Sequence, residues 1–144
     1  IPLICCAFPE AKIILVERNP AAVCWSNFTQ HFQANGHDYC YSLEDIKSYY
    51  KLYTDLISYW KQCHSDKIYT LKYDKLTIDQ ERETRNLIKF LDVNWDESCL
   101  FPEKNTRTVN TASQFQVNKK VYAGSSRNWL NYEKYLNGAF KDIL

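Results

Sequence analysis

The sequence predicts an α/β fold built on a parallel sheet, and three observations carry that prediction. Residues 12–16, KIILV, form a short apolar run rich in β-branched residues, as a strand buried on both faces requires. The sharp turn Glu17-Arg18-Asn19-Pro20 then opens a helical pattern. A second strand-like segment, KIYTLKY at 67–73, arrives only after another long helical pattern. Strands separated by helical crossovers pair in parallel, so the order strand, two helices, strand, helix favours a layered α/β domain over a bundle or a sandwich.

Each element has a local reason. Asn19 offers an N-cap and Pro20 fits the first helical position, where its missing N–H costs nothing. This helix is predicted to run to about Ala34, with Asn35-Gly36 as its stop. The next helix starts at Ser42, whose spacing to Asp45 is a weaker relative of the capping box. Ile46, Tyr49, Tyr50, Tyr53, Ile57 and Trp60 then recur at spacings of three and four, painting one wide apolar-aromatic face through roughly Gln62. In the second strand Ile68, Thr70 and Lys72 alternate with Tyr69, Leu71 and Tyr73. A third helix, from Asp79 to about Leu91, is predicted to bury Leu87, Ile88 and Leu91. After Val93 the segments shorten. Short helices are predicted over 112–117 and 128–136, joined by the basic loop NKKVYAGSSR, which reads first as an ordinary exposed loop and secondly as a candidate lid.

Composition bounds the function. At 144 residues, with 45% hydrophobic and 24% charged residues, the chain suits one globular domain spanning 1–144. A net charge of +1 argues against broad electrostatic attraction to nucleic acid or membrane, so any anionic partner must be held locally. The six cysteines form no CxxC pair and no zinc-like Cys/His spacing, so no metal is expected. Free, mostly buried thiols in a reducing compartment are the expectation. No run approaches the roughly 18 apolar residues of a membrane helix, and IPLICCAF lacks the basic flank of a signal peptide; a soluble, cytoplasmic protein is expected. The lack of any Met, even at position 1, leads us to expect that the natural N-terminal part is missing.

The turn after the first strand is where chemistry is expected. A residue at the C-terminal end of a parallel strand points into the crevice where α/β proteins bind ligands, beside the unpaired N–H groups of the next helix. Arg18 occupies that position, and Ser26 follows about two helical turns later. A guanidinium fork and a hydroxyl suit a phosphate. The bland alternative is that Arg18 pairs with Glu17 or a surface carboxylate and Ser26 bonds its own helix carbonyl.

Four segments together carry a resemblance: FPEAKIILVERNPAAVCWSNF, YSLEDIKSYYKLYTDLISYW, KIYTLKYDKL, and TASQFQV followed by VYAGSSRNWLNYEKYL. They resemble the C-terminal half of a PAPS-dependent sulfotransferase of the bacterial, tetratricopeptide-repeat-associated branch related to tyrosylprotein sulfotransferases. The resemblance implies a three-layer, P-loop-NTPase-like sulfotransferase fold with a parallel sheet, here without its N-terminal part. It implies transfer of a sulfuryl group from 3′-phosphoadenosine 5′-phosphosulfate (PAPS) to a hydroxyl or amine on a small-molecule or peptide acceptor. It assigns Arg18 and Ser26 to the 3′-phosphate and sets Tyr73 against the adenine or its phosphate. Ser113 becomes a further 3′-phosphate ligand, and Ser125, Ser126, Arg127 and Trp129 belong to the segment closing over the nucleotide.

Two departures stand beside the resemblance. Family members commonly carry a basic residue next to the Trp of the closing loop, whereas Asn128 and Leu130 flank Trp129, leaving Arg127 or Lys120 as substitutes. The chain also begins after the loop that cradles the 5′-phosphosulfate. With Gly36, Gly124 and Gly138 as its only glycines, it holds no phosphate-cradling Gly-rich motif. His31, His37 and His64 read as solvated or helix-capping residues, and no catalytic base is assigned. The alternative function is a non-catalytic nucleotide-binding or interaction domain of the same fold. The tyrosines read as core and the run DQERETR as a solvated helix face, not as nucleic-acid or docking surfaces.

Overall fold

The computed structural model of the chain describes residues 1–32, 35–105 and 120–144. The predicted helix at 112–117 and Ser113 lie outside the described residues. A short helix α1 (Pro2–Ala7), which the sequence reading did not foresee, precedes strand β1 (Ile13–Glu17). The chain then crosses through α2 (Pro20–Thr29), a 3-10 turn (Asp38–Tyr41) and α3 (Leu43–Cys63) to strand β2 (Ile68–Lys72). The strands pair in parallel, from Ile13 beside Ile68 to Glu17 beside Lys72, so both C-terminal ends open on the same side. This is the predicted α/β arrangement, with a small parallel sheet among the described residues.

The turn after β1 is pinned from two sides. Asn19 Oδ1 accepts from the Ala22 N–H at 3.0 Å, and the Asn19 N–H donates to Asp74 Oδ2 at 3.1 Å, tying the start of α2 to the element that follows β2. An N-cap side chain of this kind contributes about 0.5–2 kcal/mol, so Asn19→Ala is expected to lower unfolding free energy by that amount, read from denaturant midpoints at unchanged m-value.

Several boundaries differ from the sequence reading. Helix α2 ends at Thr29, not near Ala34: Gln30 turns to extended backbone, and Thr29 Oγ1 donates back to the Trp25 carbonyl at 3.0 Å. Asn35 and Gly36 instead occupy a turn, with Gly36 at φ 89°. Tyr73, read as the last strand residue, is the first residue of α4 (Tyr73–Ile78). Helix α5 (Gln80–Leu91) is capped by Asp79 as expected, but Leu87, Ile88 and Leu91 are only half-buried. It lies along β2 and α4, and that narrow base leaves part of its apolar stripe open. The run DQERETR does form a solvated face, laced by Arg85–Glu81 and Arg82–Asp79 pairs.

After 3-10 turns at Glu97–Leu100 and Pro102–Lys104, the final described stretch is a 3-10 helix at Ser125–Tyr135, beginning three residues before the predicted helix. Gly124, at φ 101°, supplies the left-handed residue that turns the chain into it. The main core gathers Ala21, Ala22 and Cys24 of α2, Ile46 of α3, and Trp129, Leu136 and Phe140 of the C-terminal stretch. The tyrosine face of α3 does not fill this core. Ile46 is the buried residue of that helix, while Tyr49 and Tyr53 stay 52% and 38% exposed because they line a cavity between α2 and α3.

All six cysteines are free, and three of them, Cys5, Cys24 and Cys40, are buried; Cys6 and Cys63 are exposed. Burial pushes the Cys24 thiol up from 9.0 to about 11, with Lys47 pulling weakly the other way. Native-state alkylation at pH 8 should therefore label Cys6 and Cys63 first and spare Cys24 and Cys40, read by peptide mass spectrometry. Because the folded-state value lies above the unfolded one, the stabilisation from a neutral Cys24 is full below pH 9 and is lost as the pH rises toward about 11. No described helix is long and apolar enough to cross a membrane.

Candidate functional site

Arg18 leaves the end of β1 half-buried, and its surroundings come from two distant parts of the chain. Its Nε donates to Ser126 Oγ at 2.9 Å, and Ser126 is buried at 8% exposure. The guanidinium carbon lies 5.3 Å from the centre of the Tyr73 ring. Ser125 Oγ donates to Tyr73 Oη at 3.4 Å, which links the start of the 3-10 helix to α4. Neither bland reading of Arg18 applies among the described residues: Glu17 pairs with Lys61, and no carboxylate pairs with Arg18. Nε is thus occupied by a neutral hydroxyl, and no carboxylate among the described residues compensates the charge of the fork.

Arg18, Tyr73 and Ser125 wall a cavity of about 280 Å³. Arg18, Ser26, Tyr73, Ser125 and Trp129, all singled out from sequence, line it together with Lys120. Ser26 is an exposed residue of α2, and Trp129, at 6% exposure, crosses edge to face with Phe140 at 6.0 Å. Trp129 is therefore a core anchor whose edge reaches the cavity. Among the described residues two cations and no carboxylate line this space, while hydroxyls from Ser26, Thr29, Tyr73, Tyr122 and Ser125 surround it. Its chemistry suits an anion attached to a flat ring, with the N-terminus of α2 adding dipole on the same side.

Not every expected residue arrives there. Arg127 is exposed and lines a neighbouring cavity with Asn19, Asp74 and Thr77, on the other side of the Ser126 hydrogen bond. Ser126 bonds Arg18 but lines that second space, not the first. Sequence reasoning missed Ala22, Trp25, Thr29, Tyr122 and Asn128 as wall residues. For two of them a signal existed: Ala22 and Thr29 stand four before and three after Ser26, on one helix face. His31 and His64 are absent from the cavity walls.

The fold and this cavity define an α/β protein with a cationic, hydroxyl-rich cavity at the end of a parallel strand. A family model described as "Sulfotransferase family" matches residues 1–97, which include Arg18, Ser26 and Tyr73, and the chain belongs to that family. It is 35% identical over 136 residues to an uncharacterized protein of Aquifex aeolicus (strain VF5), an alignment covering 93% of this chain and 18% of that protein. It is also 35% identical over 97 residues to a protein named sorting nexin-4 of Debaryomyces hansenii, covering 62% of this chain and 16% of that protein. The chain thus spans less than a fifth of the length of either relative.

Proposed function

We propose that this chain carries the 3′-phosphoadenosine half-site of a PAPS-dependent sulfotransferase of the three-layer, P-loop-NTPase-like fold. In this reading 1–144 is one partial domain of the bacterial, tetratricopeptide-repeat-associated branch, acting in the cytoplasm without a metal. Membership of the sulfotransferase family supports the reaction class. The observation that carries the half-site is the convergence of Arg18, Ser26, Tyr73 and Ser125 on one cavity that is lined, among the described residues, by cations and no carboxylate.

PAPS is the co-substrate that supplies the sulfuryl group; the residues of this chain bind and orient its 3′-phosphoadenosine end. Arg18 presents its charged fork to the 3′-phosphate while Ser126 fixes the side chain through Nε, so little rotamer freedom remains to be lost on binding. Ser26 supplies a hydroxyl from the adjoining helix face, and Lys120 a second positive charge. Tyr73 and Trp129 border the space a purine ring would take. Ser125 helps build the wall, Ser126 acts through its bond to Arg18, and Arg127 has no direct part because it faces the neighbouring cavity. The acceptor is a hydroxyl or amine on a small molecule or peptide.

The test is a comparison of two ligands by calorimetry. Adenosine 3′,5′-bisphosphate should bind more tightly than adenosine 5′-monophosphate, because the two differ by the phosphate assigned to Arg18 and Ser26. Equal affinity in folded protein would refute the half-site.

A further inference from the structure

The cavity beyond the Ser126 hydrogen bond, of about 470 Å³, has the volume of a small-molecule site. It is walled by Asn19 from the turn after β1, by Asp74, Thr77 and Ile78 of α4, and by Ala123, Ser126 and Arg127 of the C-terminal stretch. Three polar groups on these walls have capacity to spare. The buried Ser126 Oγ accepts from Arg18 Nε, yet among the described residues no acceptor takes its own hydrogen. Asp74 Oδ2 accepts from the Asn19 N–H, while Oδ1 has no donor among the described residues. Arg127 meets no carboxylate among them. A buried hydroxyl whose hydrogen is not given carries a desolvation cost that an acceptor on the cavity side removes.

The charges decide what kind of molecule fits. Among the described residues Arg127 is the cation of these walls and Asp74 the carboxylate, and the two form no ion pair with each other. Arg18 stands behind Ser126 and lines other cavities, not this one. A purely anionic ligand is drawn to Arg127 but repelled by Asp74, and a purely cationic one meets the reverse. A molecule that carries both charges answers each. Ser126 and Arg127 are neighbouring donors, which suits a carboxylate. Asp74 Oδ1 suits an ammonium, as do the lone pairs of Thr77 Oγ1, whose hydrogen goes to the Asp74 carbonyl at 2.9 Å. Ile78 and Ala123, both exposed, offer apolar surface to a short side chain. We propose that this cavity is a second ligand site, which takes a free α-amino acid with an aliphatic side chain as its zwitterion. The site goes beyond the nucleotide reading and does not depend on it, since none of its wall residues lines the nucleotide cavity.

The probes are L-leucine and the two compounds that each lack one of its charges, 4-methylpentanoate and 3-methylbutylamine. They are titrated against the 144-residue chain by ligand-observed NMR at about pH 7, where both groups of leucine are charged. Saturable leucine binding is expected, at least about tenfold tighter than that of either single-charge compound, since each forgoes a charge-assisted hydrogen bond. Two variants assign the ends. Arg127→Gln, at an exposed position, should weaken leucine by at least about tenfold and leave 3-methylbutylamine no weaker. Asp74→Asn, which keeps an oxygen for the Asn19 N–H, should weaken leucine by a similar factor and leave 4-methylpentanoate no weaker. Arg127→Gln keeps the test sound where Asp74→Asn fails to fold. Absence of saturable leucine binding, equal affinity for leucine and either single-charge compound, or leucine binding unmoved by Arg127→Gln would overturn the proposal. Failure of the nucleotide half-site is read separately, in bisphosphate binding, and leaves the leucine result intact.

Discussion

Replacing Arg18 with Ala is expected to weaken adenosine 3′,5′-bisphosphate binding by roughly 10-fold to 150-fold while leaving adenosine 5′-monophosphate nearly unchanged. The range follows from about 1.5–3 kcal/mol for a hydrogen bond to a charged group. Selectivity for one ligand follows from geometry: the guanidinium is the cation at the end of β1, and among the described residues no carboxylate competes for it. Arg18→Lys should recover part of the loss, since the charge returns without the two-pronged fork. Ser26→Ala and Ser126→Ala should each cost less, about 0.5–1.5 kcal/mol, the first by removing a hydroxyl from the wall and the second by releasing Nε. Calorimetric titration of both nucleotides, with circular dichroism to confirm folding, measures all of these. An Arg18→Ala variant that loses both ligands equally would mean that the turn merely starts a helix.

The parts of this arrangement that sequence revealed are those fixed by local rules. KIILV could be read as a strand, and Asn19-Pro20 as a helix start, because period and capping act within a few residues, but the burial expected on both faces of the strand is not met, with Ile14 and Val16 exposed. Arg18 became a candidate through its place at a strand end, and Ser26 through helical spacing; both line the same cavity. What stayed hidden depends on contacts between distant segments. Ser126 meets Arg18 across 108 residues of chain, and no periodicity announces that bond. Arg127, the more conspicuous residue, was read as part of the same closing segment, yet it lines the next cavity together with Ser126, while Ser125 lines the first. The tyrosines of α3 show a further limit. Their spacing marks one face correctly, but an apolar-aromatic face reads the same whether it packs a core or walls a cavity.

Phe140→Ala is expected to produce the largest loss of stability, about 3–5 kcal/mol, and to weaken nucleotide binding without removing any wall of the nucleotide cavity. Phe140 is 2% exposed and lines no part of that cavity; it meets Trp129 edge to face within the core shared with Ala21, Ala22 and Cys24. Truncation leaves a void where α2 and the C-terminal stretch are joined, and the surrounding groups collapse only partly into it. The 3-10 helix that starts at Ser125 is held to α2 by this core and by Trp25 against Tyr132, whose rings lie 4.7 Å apart. Loosening the core lets Ser125 and Ser126 drift from Tyr73 and Arg18, so the cavity loses one side while every residue in it remains. Since small domains are stable by only about 5–15 kcal/mol, binding must be measured at low temperature on the fraction still folded, with near-ultraviolet circular dichroism as the check. Phe140→Leu, which keeps most of the volume, should restore both stability and binding for the most part. If Phe140→Ala lowers the denaturant midpoint but leaves bisphosphate affinity untouched in folded protein, then the C-terminal stretch does not hold the site together, and Arg18 and Ser26 on β1 and α2 suffice for it.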